Sequence, residues 1–240
     1  MGALALGLTV AESWPIGLVC LILAAAIWVA GRPRELTVAD HRGTKRYEAD
    51  FSGESLPRAV FVDSQLPRAR FVACDLRAAD FRRAKLREAD FREADLRGAR
   101  FAGGRLIGAR FDQTDLMRAE FDEADLRTAV LRRADLRAAS LEGATLQQAD
   151  LRSADLHLAK LDRAVLRNAS LAHADLRNAS LRGADLTDAD LRHARLEGAE
   201  LEGAALEGAL LEGTTLQDDP RAGDAQGNWF GSLGSLGTGP

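Results

Sequence analysis

The sequence predicts an all-β solenoid with four sides, and three regularities predict it. Phe or Leu stands at every fifth residue from Phe51 to Leu216 without a gap, giving 34 consecutive pentapeptides. The residue two places before each is small: Ala in 28 cases, Ser64, Cys74, Gly104, Thr114 or Thr214 in five more, with Glu54 the one departure. Phe then occupies every second lattice site from Phe51 to Phe121, a period of ten, with Leu between.

A period of five suits neither standard element. Five residues turn an α-helix through about 500°, which leaves successive Leu roughly 140° apart and makes no stripe. Along a strand an odd period throws alternate Leu onto opposite faces, so half would meet water. A chain that turns a corner every five residues and winds into a coil keeps every lattice side chain on the axis. The Phe period supplies the number of sides. With 20 residues per coil, Phe51, Phe71, Phe91 and Phe111 stack on one wall and Phe61, Phe81, Phe101 and Phe121 on the opposite wall.

At these residues the sequence resembles the pentapeptide-repeat family, whose consensus A(D/N)LxX is visible as Ala89-Asp90-Phe91-Arg92-Glu93, Ala134-Asp135-Leu136-Arg137 and Ala184-Asp185-Leu186-Thr187-Asp188. The resemblance covers residues 49–218 and implies a right-handed quadrilateral β-helix. That length gives about 8.5 coils and, at the spacing of neighbouring strands, a rod roughly 40 Å long.

Ahead of the repeats, residues 1–13 are a short N-terminal tail and residues 14–31 read as a transmembrane helix. Trp14 to Ala30 is uncharged and almost wholly apolar, close to the shortest length that spans a bilayer. Pro15 suits a first helical turn, and Trp14 and Trp28 suit the interfacial zones. Arg32, Arg34, Arg42, Lys45 and Arg46 follow the stretch while Glu12 precedes it. By the positive-inside rule the repeats are then expected in the cytoplasm, on a single-pass protein of the cell membrane. The rival is a cleaved signal peptide, which wants basic residues before its apolar core; residues 1–13 hold none.

Residues 32–48 read as a basic linker or degenerate cap. Leu36 falls on the extrapolated lattice, whereas His41 and Arg46 depart from it. Pro57, Val60, Val62, Pro67 and Val72 stand at outward positions of the first coils, and two readings are open: they pack under the linker as an end cap, or this end rests near lipid headgroups. Residues 219–240, rich in Gly, read as a flexible tail. Trp229 and Phe230 within it either cover the last coil or dock elsewhere.

Charge narrows the function classes. Net charge is −4 overall, yet residues 47–140 sum to +1 and residues 141–220 to −7. Arg is interleaved with Asp and Glu, which argues against a nucleic-acid surface. Thirteen Asp precede lattice residues; their regular spacing suits hydrogen bonding at corners better than catalysis. P-loop, HExxH, CxxC and GxSxG patterns are missing, so no enzyme, cofactor or metal is expected. His173 and His193, 20 apart, should be neighbours on one wall, and Cys20 and Cys74 read as buried thiols.

The candidate partner surface lies on outward positions. Arg77, Arg97, Arg137 and Arg177 share one column with Met117 and His157. Glu197, Glu202, Glu207 and Glu212 stand one per wall in the last coil, below Arg177, Arg182, Thr187 and Arg192, and three of the four are expected to make inter-coil ion pairs. The function these features suggest is a membrane-anchored, non-enzymatic interaction scaffold for a protein partner. The alternative that the resemblance implies is a DNA mimic that binds DNA gyrase and protects it from quinolones or toxins. Dimerisation is not predicted, because the tail lacks the helical periodicity of the gyrase-binding members.

Overall fold

The protein divides into two units, Met1–Thr37 and Val38–Pro240, and the computed structural model describes residues 38–214, all in the second. The apolar stretch 14–31, Trp229 and Phe230 lie outside the described residues. Among the described residues no helix is long and apolar enough to cross a membrane.

Residues 38–214 form a β-helix in which each coil takes 20 residues. Parallel bridges join residues 20 apart without interruption, from Asp40↔Val60 to Asp190↔Leu210. Four walls result. We number them by their lattice columns: wall 1 carries Phe51, wall 2 Leu56, wall 3 Phe61 and wall 4 Leu66, each repeated at 20-residue intervals.

One repeat shows why the chain closes this way. Asp135 N–H donates back to Thr114 O at 3.0 Å, Leu136 N–H forward to Asp155 O at 2.7 Å, and Ala138 N–H forward to His157 O at 2.9 Å. Ala139 N–H then closes the turn on Leu136 O at 3.0 Å. Main-chain carbonyls therefore satisfy four of the five N–H groups, and only that of Arg137 is left over. The second turn residue, Ala138, has φ 55°. A left-handed φ recurs at every fifth residue from Gly43 to Gly213, mostly at non-glycine residues. The corners thus have the conformation of a type II turn, whose second central residue needs φ above zero.

Pro57 and Pro67 sit on the first central residue of such turns, the one place where a missing N–H costs nothing. The backbone around them joins the coil before by the same ladder that links the later coils: His41, Gly43 and Glu48 donate to the carbonyls of Val60, Val62 and Pro67 at 2.7, 2.9 and 3.0 Å.

The interior is a continuous apolar plug. Phe51, Phe71, Phe91 and Phe111 stack with ring centroids 4.8–5.0 Å apart, and Phe61, Phe81, Phe101 and Phe121 do so at 4.6–4.9 Å. Across the tube the two ladders meet edge to face, as at Phe71–Phe81 with rings 5.5 Å apart and 84° inclined. From Leu131 to Leu206 the same sites are buried Leu.

His41 continues the Phe61 ladder, stacked at 4.7 Å and 9°. It occupies a lattice site that apolar periodicity alone did not assign to it. Of the segment read as linker or cap, residues 38–48 are already coil, since Asp40 and Lys45 bridge to Val60 and Gln65.

The small residues beside the plug are also placed by contact. Cys74 is buried, and its Sγ donates to Phe51 O at 2.8 Å; Thr114 Oγ1 donates to Phe91 O at 2.8 Å, the same relation two coils on. Burial pushes the Cys74 thiol pKa up.

Candidate interaction surface

The outward face of each repeat is built from the leftover N–H. In the Asp135 repeat the carboxylate takes it, Arg137 N–H to Asp135 Oδ1 at 3.2 Å, and the Arg137 side chain closes on the same carboxylate through Nε at 2.8 Å and Nη2 at 2.5 Å. All thirteen Asp that precede lattice residues accept the N–H two residues on, from Asp50 to Asp190. The carboxylates are thus corner acceptors, as their spacing foretold. Where Ser140 and Ser180 replace Asp, Asp122 and Asp162 of the preceding coil reach across to take the N–H of Glu142 and Arg182 at 3.1 and 3.0 Å.

This clamp sets the electrostatics. Hydrogen bonds from the Arg77, Arg97, Arg137 and Arg177 side chains hold Asp75, Asp95, Asp135 and Asp175 below the usual carboxylate range, against an opposing push from burial. At Asp90 burial is the largest influence and pushes upward, yet the bonds from Arg92 outweigh it and the pKa still falls. The arginines move the other way; Arg97 and Arg137 are raised by their bonds to Asp95 and Asp135.

Wall 2 brings the four predicted arginines into one column beside a ladder of Asp75, Asp95, Asp115, Asp135, Asp155 and Asp175. Each arginine grips the Asp of its own repeat, and Arg77, Arg97 and Arg137 also lean toward the next Asp at 3.7, 3.4 and 3.7 Å. They form a zipper of fixed charges rather than a row of free cations.

The expectation for Glu197, Glu202, Glu207 and Glu212 needs correction. All four are exposed and stand one per wall. Among the described residues none comes within ion-pairing distance of a basic side chain. Arg177 is held by Asp175 and Arg192 by Asp190, both in their own repeat. Arg182, which has Ser180 where the clamp Asp would stand, pairs instead with Glu200 at 3.2 Å. A carboxylate two residues away in a preset turn wins over a longer Glu side chain one coil on, because less rotamer freedom is lost.

His173 and His193 are neighbours on wall 1, stacked at 5.0 Å and 13°. Among the described residues no cluster of three or more His, Cys, Asp or Glu could hold a metal ion. Sequence reasoning missed Tyr47. It is 61% exposed, its hydroxyl accepts from Arg68 Nη1 at 2.5 Å, and the same guanidinium lies 5.6 Å from the ring centroid. As the first central residue of a corner turn it faces outward, which its position after Arg46 would have shown had the coil been extended past Phe51.

Comparison with family models finds the same repeat. The family model "Pentapeptide repeats" matches in overlapping stretches spanning residues 47–198. Among solved structures, the chain is similar to HetL, a pentapeptide repeat protein involved in heterocyst differentiation regulation from the cyanobacterium Nostoc sp. Strain PCC 7120: 32% identity, 80% of this chain and 94% of that one, TM-score 0.32. A trypsin-treated form of QnrB1, a plasmid-mediated fluoroquinolone resistance protein, matches at 22% identity over 70% of this chain and 92% of that one, TM-score 0.39. A pentapeptide repeat protein from the Arabidopsis thaliana thylakoid lumen matches at 26% identity over 59% and 67%, TM-score 0.27. No curated protein gave a significant match. With its family model covering most of the chain and its Phe ladder stacked inside a four-walled coil, the chain belongs to the pentapeptide-repeat family.

Proposed function

We propose that the protein is a membrane-anchored, non-enzymatic scaffold that presents its repeat rod to a protein partner on the cytoplasmic side. The observation that carries the scaffold reading is the clamp. Asp and Arg side chains along the walls are tied down by hydrogen bonds such as Arg97 Nη2 to Asp95 Oδ2 at 2.6 Å. A surface whose charges are already fixed loses little side-chain freedom on docking, which favours recognition of a rigid partner. The anchor is supported by the uncharged stretch Trp14 to Ala30 and the basic residues after it.

The test separates the two halves. Membranes from cells making the full chain are washed with alkaline carbonate; retention supports the anchor, and release overturns it. A photo-crosslinker placed at Arg97 should capture one partner that is lost when Arg77 and Arg137 are changed to Ala. Protection of DNA gyrase supercoiling by the full chain would replace the scaffold with DNA mimicry. The near-neutral first half of the rod, net +1 over residues 47–140, speaks against that outcome.

A further inference from the structure

Over the first four coils wall 4 is the one wall with no clamping Asp: wall 1 has Asp50 and Asp90, wall 2 Asp75, Asp95 and Asp115, and wall 3 Asp40 and Asp80. On wall 4 the position of the clamping Asp is occupied in turn by Lys45, Gln65, Lys85 and Arg105, joined by the bridges 45↔65, 65↔85 and 85↔105. With no Asp two residues back, Arg87 turns to Glu88 at 3.1 Å. Lys45, Lys85 and Arg105 have no carboxylate oxygen within 4.0 Å among the described residues, and Arg105 acts only at longer range, on Asp125. The outward positions of this stretch hold Lys45, Arg68, Lys85, Arg87 and Arg105 against Glu48 and Glu88, net +3. The corresponding stretches of the other walls, counted in the same way, lie between −1 and +1.

The wall has a second property. Gln65, Pro67, Lys85, Arg87, Arg105 and Ile107 line a groove of about 330 Å³, with half-buried Pro67 and Ile107 as its apolar members. Tyr47 stands exposed in the same column as Pro67 and Ile107. Three cations without ion-pair partners among the described residues, an amphipathic aromatic and a shallow apolar floor together match the headgroup region of an anionic bilayer. These coils are also the part of the rod nearest in sequence to the apolar stretch 14–30.

We propose that wall 4, through Lys45, Lys85, Arg87 and Arg105, docks on an anionic lipid surface and so lays the first coils against the membrane. This rests on the anchored reading above, and it assigns a lipid-facing wall that leaves walls 1 to 3 for the partner.

The chain supplies its own reporter, because its only lysines are Lys45, Lys85 and Lys160. The first two are on wall 4; Lys160 is exposed on wall 3. The full chain is reconstituted in phosphatidylcholine vesicles with or without phosphatidylglycerol, and amine acylation is followed by mass spectrometry. Phosphatidylglycerol should slow labelling of Lys45 and Lys85 at least tenfold and leave Lys160 unchanged, and high salt should reverse the effect. The double variant Arg87→Gln, Arg105→Gln should lower the docked-to-undocked ratio about twenty-fivefold, roughly fivefold per cation. Gln stands in the Arg105 column at residue 65, and Arg87 is exposed, so an unchanged far-ultraviolet spectrum is expected and is checked.

Equal labelling rates in both lipids, or uniform slowing of all three lysines, would overturn the proposal. So would protection of Lys45 and Lys85 by polyglutamate or duplex DNA but not by anionic vesicles. Carbonate extraction from the neutral vesicles reads the anchor separately. A chain that fails that step but shows lipid-dependent protection when added to preformed vesicles loses the anchor and keeps the docking wall.

Discussion

Asp135 and Arg137 are joined three times within one repeat: by the main-chain N–H at 3.2 Å, by Nε at 2.8 Å and by Nη2 at 2.5 Å, all to the Asp135 carboxylate. The first bond completes the hydrogen bonding of the repeat, and the other two only neutralise charge. Asp135→Ala should therefore cost about 1 kcal/mol, the usual worth of such a bond. Asp135→Asn, which keeps an acceptor and loses an exposed ion pair, should stay within about 0.5 kcal/mol of the parent. Urea midpoints for both variants check this, and equal losses would show that charge matters more than the corner bond.

Acid should loosen the rod in a narrow window. Asp75, Asp90, Asp95, Asp125, Asp135, Asp150 and Asp175 all have folded pKa values below the ordinary one. A group whose pKa is depressed on folding contributes stability above its unfolded value, near 3.9, and loses it as pH falls through the lower folded value. The melting temperature is expected to be flat from neutral pH to about 5 and to drop below about 4. A steep decline already between pH 7 and 5 would contradict the assignment to these carboxylates.

Leu136 is wholly buried in the plug. An aspartate there would place an unpaired carboxylate among apolar side chains, at a penalty of several kcal/mol. Leu136→Asp should abolish the cooperative melt and the β signal in the far ultraviolet, whereas Leu136→Ala should fold with a loss of about 2–5 kcal/mol. A normal melting curve for the aspartate variant would contradict the coil.

Cys74 should be chemically silent in the folded protein, since its thiol is buried, bonded to Phe51 O and raised in pKa. In a Cys20→Ser background, thiol reagent at pH 8 should react only as fast as the first coils open, and denaturant should release one full equivalent. Prompt labelling without denaturant would mean that this end of the rod is loose.

Leu158 combines two unfavourable features, a left-handed φ of 61° and 53% exposure. Asn tolerates that conformation better than Leu and already adopts it at Asn168 and Asn178, each with φ 55°. Leu158→Asn should raise stability by about 0.5–1 kcal/mol. A loss of that size would show that the Leu side chain packs usefully where it stands.

The features legible in the sequence were those that repeat. Leu and Phe spacing dictated the tube, the Phe period dictated four walls, and the regular Asp dictated the corner acceptors. What escaped was local competition. The column assignment placed Glu197 below Arg177 correctly but could not say that Asp175, two residues away and already oriented by the turn, would hold the guanidinium. His41 was missed because an aromatic ladder accepts an imidazole as readily as a phenyl ring, a substitution that a search for apolar periodicity does not register. The cations of wall 4 were visible as letters, but that Lys45, Lys85 and Arg105 stand at the corner-acceptor position, and so leave Arg87 without a clamping Asp, follows only from the turn geometry.

The bridges of this rod always join residues 20 apart, while its interior repeats every five. Loss or gain of five residues would leave the plug intact and turn every later wall by a quarter, handing each surface column a new set of neighbours. Only changes of 20 residues would preserve both. Length variation among descendants of this chain is thus expected to fall on multiples of five where folding alone is selected, and on multiples of 20 where a particular wall has to be kept.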